Sequence, residues 1–208
     1  MKIYLYGHSM GGGIAAAVAA RAPEMFEKVI LSSPMIRPLT GGVPWHVAKA
    51  IAKTSCKVGR NKKYVVGQKP YKEPGKFEES CSLSRPRFEY YEENRTKEAH
   101  YHLNAPSYGW LGNAMRLNRY LEKTGWKKIK APVMLFSAGK DNLVSNAAQE
   151  RFVRKLNKNR PESAELVKFP ESKHEIFNAE NTIAEEYLLP QADGCSGGIA
   201  YTSCQLQA

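Results

Sequence analysis

No uninterrupted apolar run reaches the roughly 18–20 residues that a membrane span requires. The longest small-and-apolar stretch, Gly11 to Ala20, ends at Arg21, so no segment is expected to cross a bilayer. The N-terminus, Met1-Lys2-Ile3-Tyr4-Leu5-Tyr6-Gly7, meets a glycine too soon to hold the apolar centre of a signal peptide, and secretion is not expected. Cysteine is sparse as well. Cys56, Cys81, Cys195 and Cys204 form no C-x-x-C pair, which removes a zinc knuckle and a dithiol redox motif from consideration. A reducing, cytoplasmic compartment fits that usage, with a Cys195–Cys204 bridge in the Gly/Ser-rich tail as the alternative. No short repeat runs through the 208 residues, and with 42% hydrophobic residues the chain is expected to be globular rather than fibrous or disordered. Aspartate is nearly absent: Asp141 and Asp193 stand against 18 glutamates.

What the chain has in excess is positive charge, and it is concentrated. Residues 34–130 hold 20 Lys+Arg and 8 Glu, a balance of +12 within a total of +11, so a neutral frame carries a basic middle. There Lys57, Arg60, Lys62, Lys63, Lys69, Lys72 and Lys76 alternate with Tyr64, Tyr71 and Phe77. Such a face is either a solvated loop or a surface for anionic head groups, which allows peripheral contact with a membrane. No helix-turn-helix, RNP-like or zinc motif accompanies it, so nucleic acid is not an expected partner.

The hydrophobic pattern alternates between two periods. Lys2–Tyr6 reads as a strand and Gly12–Ala22, stopped by Pro23, as a helix; Lys28–Ser33 is a strand closed by Pro34. After a mostly helical stretch the alternation resumes: strand Pro132–Phe136, helix Ala147–Leu156, strand Glu165–Phe169 and helix Thr182–Leu189. This predicts an open parallel α/β sheet of about four strands with flanking helices. The core is expected over 1–34 and 131–189, a basic helical insertion over 35–130, and a disordered tail over 190–208.

Gly7-His8-Ser9-Met10-Gly11 is G-x-S-x-G, set between a short apolar strand and an Ala-rich helix. The glycines are expected to let the turn tighten and lift the Ser9 hydroxyl above the strand end. A phosphate-binding turn would need the Lys-Ser/Thr pair of a P-loop, which is missing. A serine nucleophile needs a base and the base an orienting acid, in the order Ser, Asp or Glu, His. Asp141, just past the strand Val133–Phe136, and His174, just past the last strand, supply both in order. His100 and His102 form an H-x-H with no third ligand at metal-binding spacing, and no metal site is expected.

These residues resemble a known family. The elbow Gly7-His8-Ser9-Met10-Gly11-Gly12, the Ser137-Ala138-Gly139-Lys140-Asp141 loop and the Ser172-Lys173-His174-Glu175 loop look like the serine hydrolases of the α/β-hydrolase fold. More narrowly, Ser84-Arg85-Pro86-Arg87-Phe88 and Ala105-Pro106-Ser107-Tyr108-Gly109-Trp110 resemble the cap segment of the lysophospholipase L2 and monoacylglycerol lipase branch. The resemblance runs from about Lys2 to Leu189 and implies Ser9 as nucleophile, His174 as general base and acid, and Asp141 as the group that holds the imidazole. It implies one oxyanion donor in the backbone N–H of Met10, and no cofactor. Trp110 and Leu111 would form an apolar wall for an acyl chain. His8, expected to point away from Ser9, is placed with them among the substrate contacts. The implied activity is cleavage of the acyl ester of a lysophospholipid or monoacylglycerol through an acyl-enzyme. The alternatives are another ester or peptide substrate on the same triad, and a non-catalytic, basic membrane-binding fragment. Family members place four strands, a helix and a second oxyanion donor ahead of the elbow, whereas Ser9 is the ninth residue here. The expectation is an incomplete version of a longer hydrolase, with an exposed edge strand and a donor missing, at about 10²–10³ in rate.

Overall fold

A computed structural model describes residues 2–193. Four parallel strands, β1 (Tyr4–His8), β2 (Lys28–Ser32), β3 (Val133–Ala138) and β4 (Ala164–Phe169), lie in sequence order across one sheet. Register is set by pairs such as Gly7 with Leu31, Leu31 with Leu135, and Leu135 with Leu166. All six residues of β3 and the last four of β2 are buried, as a parallel strand covered on both faces requires.

The pleat divides the core in two. Val29, Leu31, Val133 and Leu135 face α1 (Ser9–Arg21) and α5 (Asn146–Asn159), where Ala16, Ala19, Phe152 and Leu156 meet them. Ile30, Met134 and Phe136 face the other way, toward Tyr187 of α6 (Asn181–Asp193). Alanines on α1 let its backbone lie close to the sheet, and Gly12 and Gly13 let it approach Pro34 and Met35. The opposite side of α1 is apolar and exposed at Met10, Ile14 and Val18, one turn apart. Among the described residues β1 pairs on one side only.

The long β2–β3 connection carries α2 (Trp45–Lys57), α3 (Arg85–Lys97) and α4 (Tyr108–Lys123). Ala48 and Ala52 of α2 pack on Leu111 and Met115 of α4, and Leu121 of α4 joins the α1 side of the core. The stretch between α2 and α3 is held by few apolar contacts. Buried Glu92 accepts the Gly75 amide at 2.7 Å and pairs with Arg95 at 3.1 Å, and the Arg95 guanidinium lies over the Tyr71 ring. Observed helices begin earlier than the sequence predicts: α1 starts at Ser9 rather than Gly12. At the far end α6 continues to Asp193, four residues into the span expected to be a disordered tail. The remainder of that tail, Cys195 and Cys204 included, lies outside the described residues.

Candidate active site

Three strand ends build the site. At the first, Ser9 adopts φ +54° directly after β1, a left-handed conformation that a non-glycine residue adopts only where its surroundings enforce it. Gly7 makes that turn: a Cβ there would sit 2.6 Å from the Gly11 carbonyl oxygen and 2.8 Å from the Ala15 Cβ. Gly12 is required in the same way by Pro34. Gly11 is not, since a Cβ on it would meet nothing within 4 Å. This corrects the expectation that both motif glycines serve the tightness of the turn. The Met35 amide donates to the Ser9 carbonyl oxygen at 2.8 Å, pinning the elbow from the segment after β2.

The second strand end carries Asp141, its side chain fully buried. Its Oδ1 accepts the amides of Leu143 (2.9 Å) and Val144 (3.0 Å), which leaves Oδ2 directed at the Nδ1 of His174, 2.7 Å away. His174, on the loop after β4, places Nε2 2.7 Å from the Ser9 Oγ. The two loops are joined along their backbones. Gly139 donates to Phe169 and Lys140 to Ser172, and a Cβ on Gly139 would fall 2.2 Å from the Pro170 oxygen. Chemically, a hydroxyl bonded to an imidazole whose other nitrogen is held by a carboxylate is an activated nucleophile. The Met10 amide lies in the first turn of α1, among the N–H groups that helix geometry leaves without an intrahelical partner.

The family model of the serine aminopeptidases, S33, matches residues 1–181. The chain belongs to that family. Solved structures similar to this S33 family member include the monoacylglycerol lipase of Paleococcus ferrophilus, with 21% identity and a TM-score of 0.68 over 94% of this chain and 68% of that one. A soluble variant of monoglyceride lipase from Saccharomyces cerevisiae, in complex with a substrate analogue, gives 17% and 0.68 over 92% and 63%. A thermostable carboxyl esterase from Bacillus coagulans, in complex with glycerol, gives 16% and 0.68 over 93% and 65%. The chain thus spans about two thirds of the length of these structures, and what it shares with them is the α/β-hydrolase fold. No curated protein matches the sequence.

Within this S33 site the remaining sequence-derived candidates separate. Trp110, at the start of α4, donates its indole N–H to the Met10 sulfur at 3.2 Å and stays partly exposed beside the elbow. Leu111 is buried in the seam between α2 and α4, which leaves it no surface to offer an acyl chain. His8 does not point away from the triad: its ring packs 4.9 Å from the rings of both His174 and Phe177, with Nδ1 3.3 Å from the Ser32 hydroxyl. Burial, reinforced by His174, pushes the His8 pKa down from 6.5 to about 4, so it stays neutral beside the imidazole it touches. Sequence reasoning missed Gly139; the glycine directly before Lys140-Asp141 was the available signal for a close backbone approach. His100 lies 3.5 Å from Glu98 while His102 stacks on Tyr71, so the H-x-H pair faces separate partners. Among the described residues no group of three or more His, Cys, Asp or Glu could hold a metal, and no described helix is long and apolar enough to cross a membrane.

Proposed function

We propose that the protein is a serine carboxylester hydrolase that cleaves the acyl ester of a monoacylglycerol or lysophospholipid through an acyl-enzyme. The observation that carries this is the unbroken hydrogen-bonded line from the Ser9 Oγ through His174 to Asp141, with both bonds at 2.7 Å. Ser9 attacks the ester carbonyl while His174 takes its proton; the same imidazole returns it to the departing alcohol, and water then hydrolyses the acyl-serine by the reverse route. The Met10 amide supplies one donor to the developing oxyanion. An apolar substrate is favoured by what surrounds the triad. Met10, Leu143 and Phe177, each within three positions of a triad residue, are 44%, 46% and 37% exposed, and Trp110 joins them through Met10. The lipase and esterase names of the similar structures point the same way.

Residues 35–130 act as a cap in this reading. Val66, 84% exposed, projects from it within the basic run Lys57–Lys76, and Leu103, 83% exposed, precedes Asn104, whose side-chain amide donates to the Lys69 carbonyl of that run; such a face suits peripheral contact with an anionic membrane. The experiment is fluorophosphonate labelling read by intact mass, followed by hydrolysis of lysophosphatidylcholine, monoacylglycerol and a proline amide. Single labelling that vanishes in Ser9→Ala, with turnover of a lipid ester, is the expected outcome. Turnover of the amide alone favours the aminopeptidase chemistry of the family name. A folded protein with no reactive serine that still binds anionic vesicles overturns the enzymatic reading.

A further inference from the structure

We propose that residues 77–88 of the β2–β3 connection form a clamp that positions His174, with Lys173 and Ser82 as its positioning residues. Both chain neighbours of His174 are tied to it. The Lys173 ammonium donates to the Ser80 carbonyl at 3.0 Å and lies 5.7 Å from the Phe77 ring; the Glu175 amide donates to the Cys81 carbonyl at 3.2 Å. Three residues further on, the Asn178 carbonyl accepts from the amides of Leu83 and Ser84 and, at 2.7 Å, from the Ser82 hydroxyl, whose residue is 2% exposed. Arg87 then donates to the Ala179 carbonyl and to the Asn181 side chain.

The His174 loop therefore has two supports of different origin. On its sheet side it is joined to the Asp141 loop through Phe169 and Ser172, both before the histidine. From Lys173 onward its polar ties run mainly to a segment more than 90 positions earlier in the chain. Without that segment the residues on either side of His174 lose these anchors, and the imidazole is left to its own contacts with Asp141, Ser9 and His8 and to the Ser172 tie for its orientation. Catalytic geometry does not tolerate that freedom, because a displacement of about 1 Å in a positioned group costs up to about 10²-fold in rate. The clamp acts through His174 and touches no substrate.

This proposal rests on the reading of His174 as general base, so the test pairs an activity-independent readout with a kinetic one. In the intact protein the His174 Nδ1–H, shared with Asp141, is expected to give a far-downfield proton resonance that Asp141→Asn abolishes. Lys173→Met and Ser82→Ala are expected to broaden or erase it in protein that remains folded by circular dichroism, and Lys173→Arg to retain it. With a short-chain p-nitrophenyl ester the first two are expected to lower kcat roughly tenfold or more with KM within twofold, and Lys173→Arg to recover most of the loss. An unchanged resonance in Lys173→Met and Ser82→Ala overturns the clamp, as does its absence from the parent protein. If the parent hydrolyses nothing while the resonance follows this pattern, the hydrolase reading fails and the clamp stands. Should Lys173→Met not fold, Ser82→Ala decides, being the smaller change.

Discussion

In the proposed reading Ser9, Asp141 and His174 divide the work of one proton transfer, and each is held by groups with no chemical part in it. Asp141→Asn is expected to keep the fold and lower kcat by about 10⁴, since an amide holds the wrong imidazole tautomer; steady-state kinetics checks this. The glycines of the elbow are expected to behave unequally. Gly11→Ala should raise stability by about 0.5–1 kcal/mol in urea unfolding, because its Cβ meets open space in a helix. Gly7→Ala should lower it by about 1–3 kcal/mol through the clash with Gly11 and Ala15. His8 predicts an acid-sensitive fold. Its folded pKa of about 4 lies below the unfolded 6.5, so the unfolded chain binds the extra proton, and stability falls as pH drops through that window. The loss is on the order of 3 kcal/mol, and His8→Gln should flatten that part of the profile. The three residues that the structure joins were legible because each follows a strand end and their order along the chain is the one this α/β architecture uses. The place of His8 was not legible, since a residue in an extended turn gives no sign of the ring that will cross it from 166 positions away.

Between elements, Gly139 lies so near Pro170 that a Cβ on it would strike the Pro170 backbone, which ties its lack of a side chain to the spacing of the loops bearing Asp141 and His174. Gly139→Ala is expected to spread them, lowering kcat at least tenfold while α5 and the sheet persist by circular dichroism. The strands were readable because β2 and β3 are apolar runs of five and six residues, a length usual for a buried strand and short for a helix. The stretch from Gly59 to Lys76 was unreadable for the opposite reason. Its first half is held by backbone bonds to residues 106–109 and its second by the buried Glu92–Arg95 pair, and nothing in the periodicity of α3 marks one of its three glutamates as the buried one. Glu92→Ala leaves Arg95 without its carboxylate and frees the Gly75 amide. Limited proteolysis should then cut between residues 60 and 76 in the variant before it does so in the parent.

At the scale of the molecule, the exposed row Met10, Ile14 and Val18 on α1 is an apolar surface that water disfavours. Ile14→Lys with Val18→Glu is expected to leave the fold intact and reduce self-association in analytical ultracentrifugation. The hydrogen bond from His174 to Ser9 spans 165 positions and closes only after the connection of about a hundred residues has been accommodated. The serine is thus synthesised 165 positions ahead of the histidine that would deprotonate it. Until the His174 loop folds back onto the elbow, the hydroxyl of the proposed nucleophile is an ordinary serine alcohol, and reactivity is a property that only the closed fold can confer.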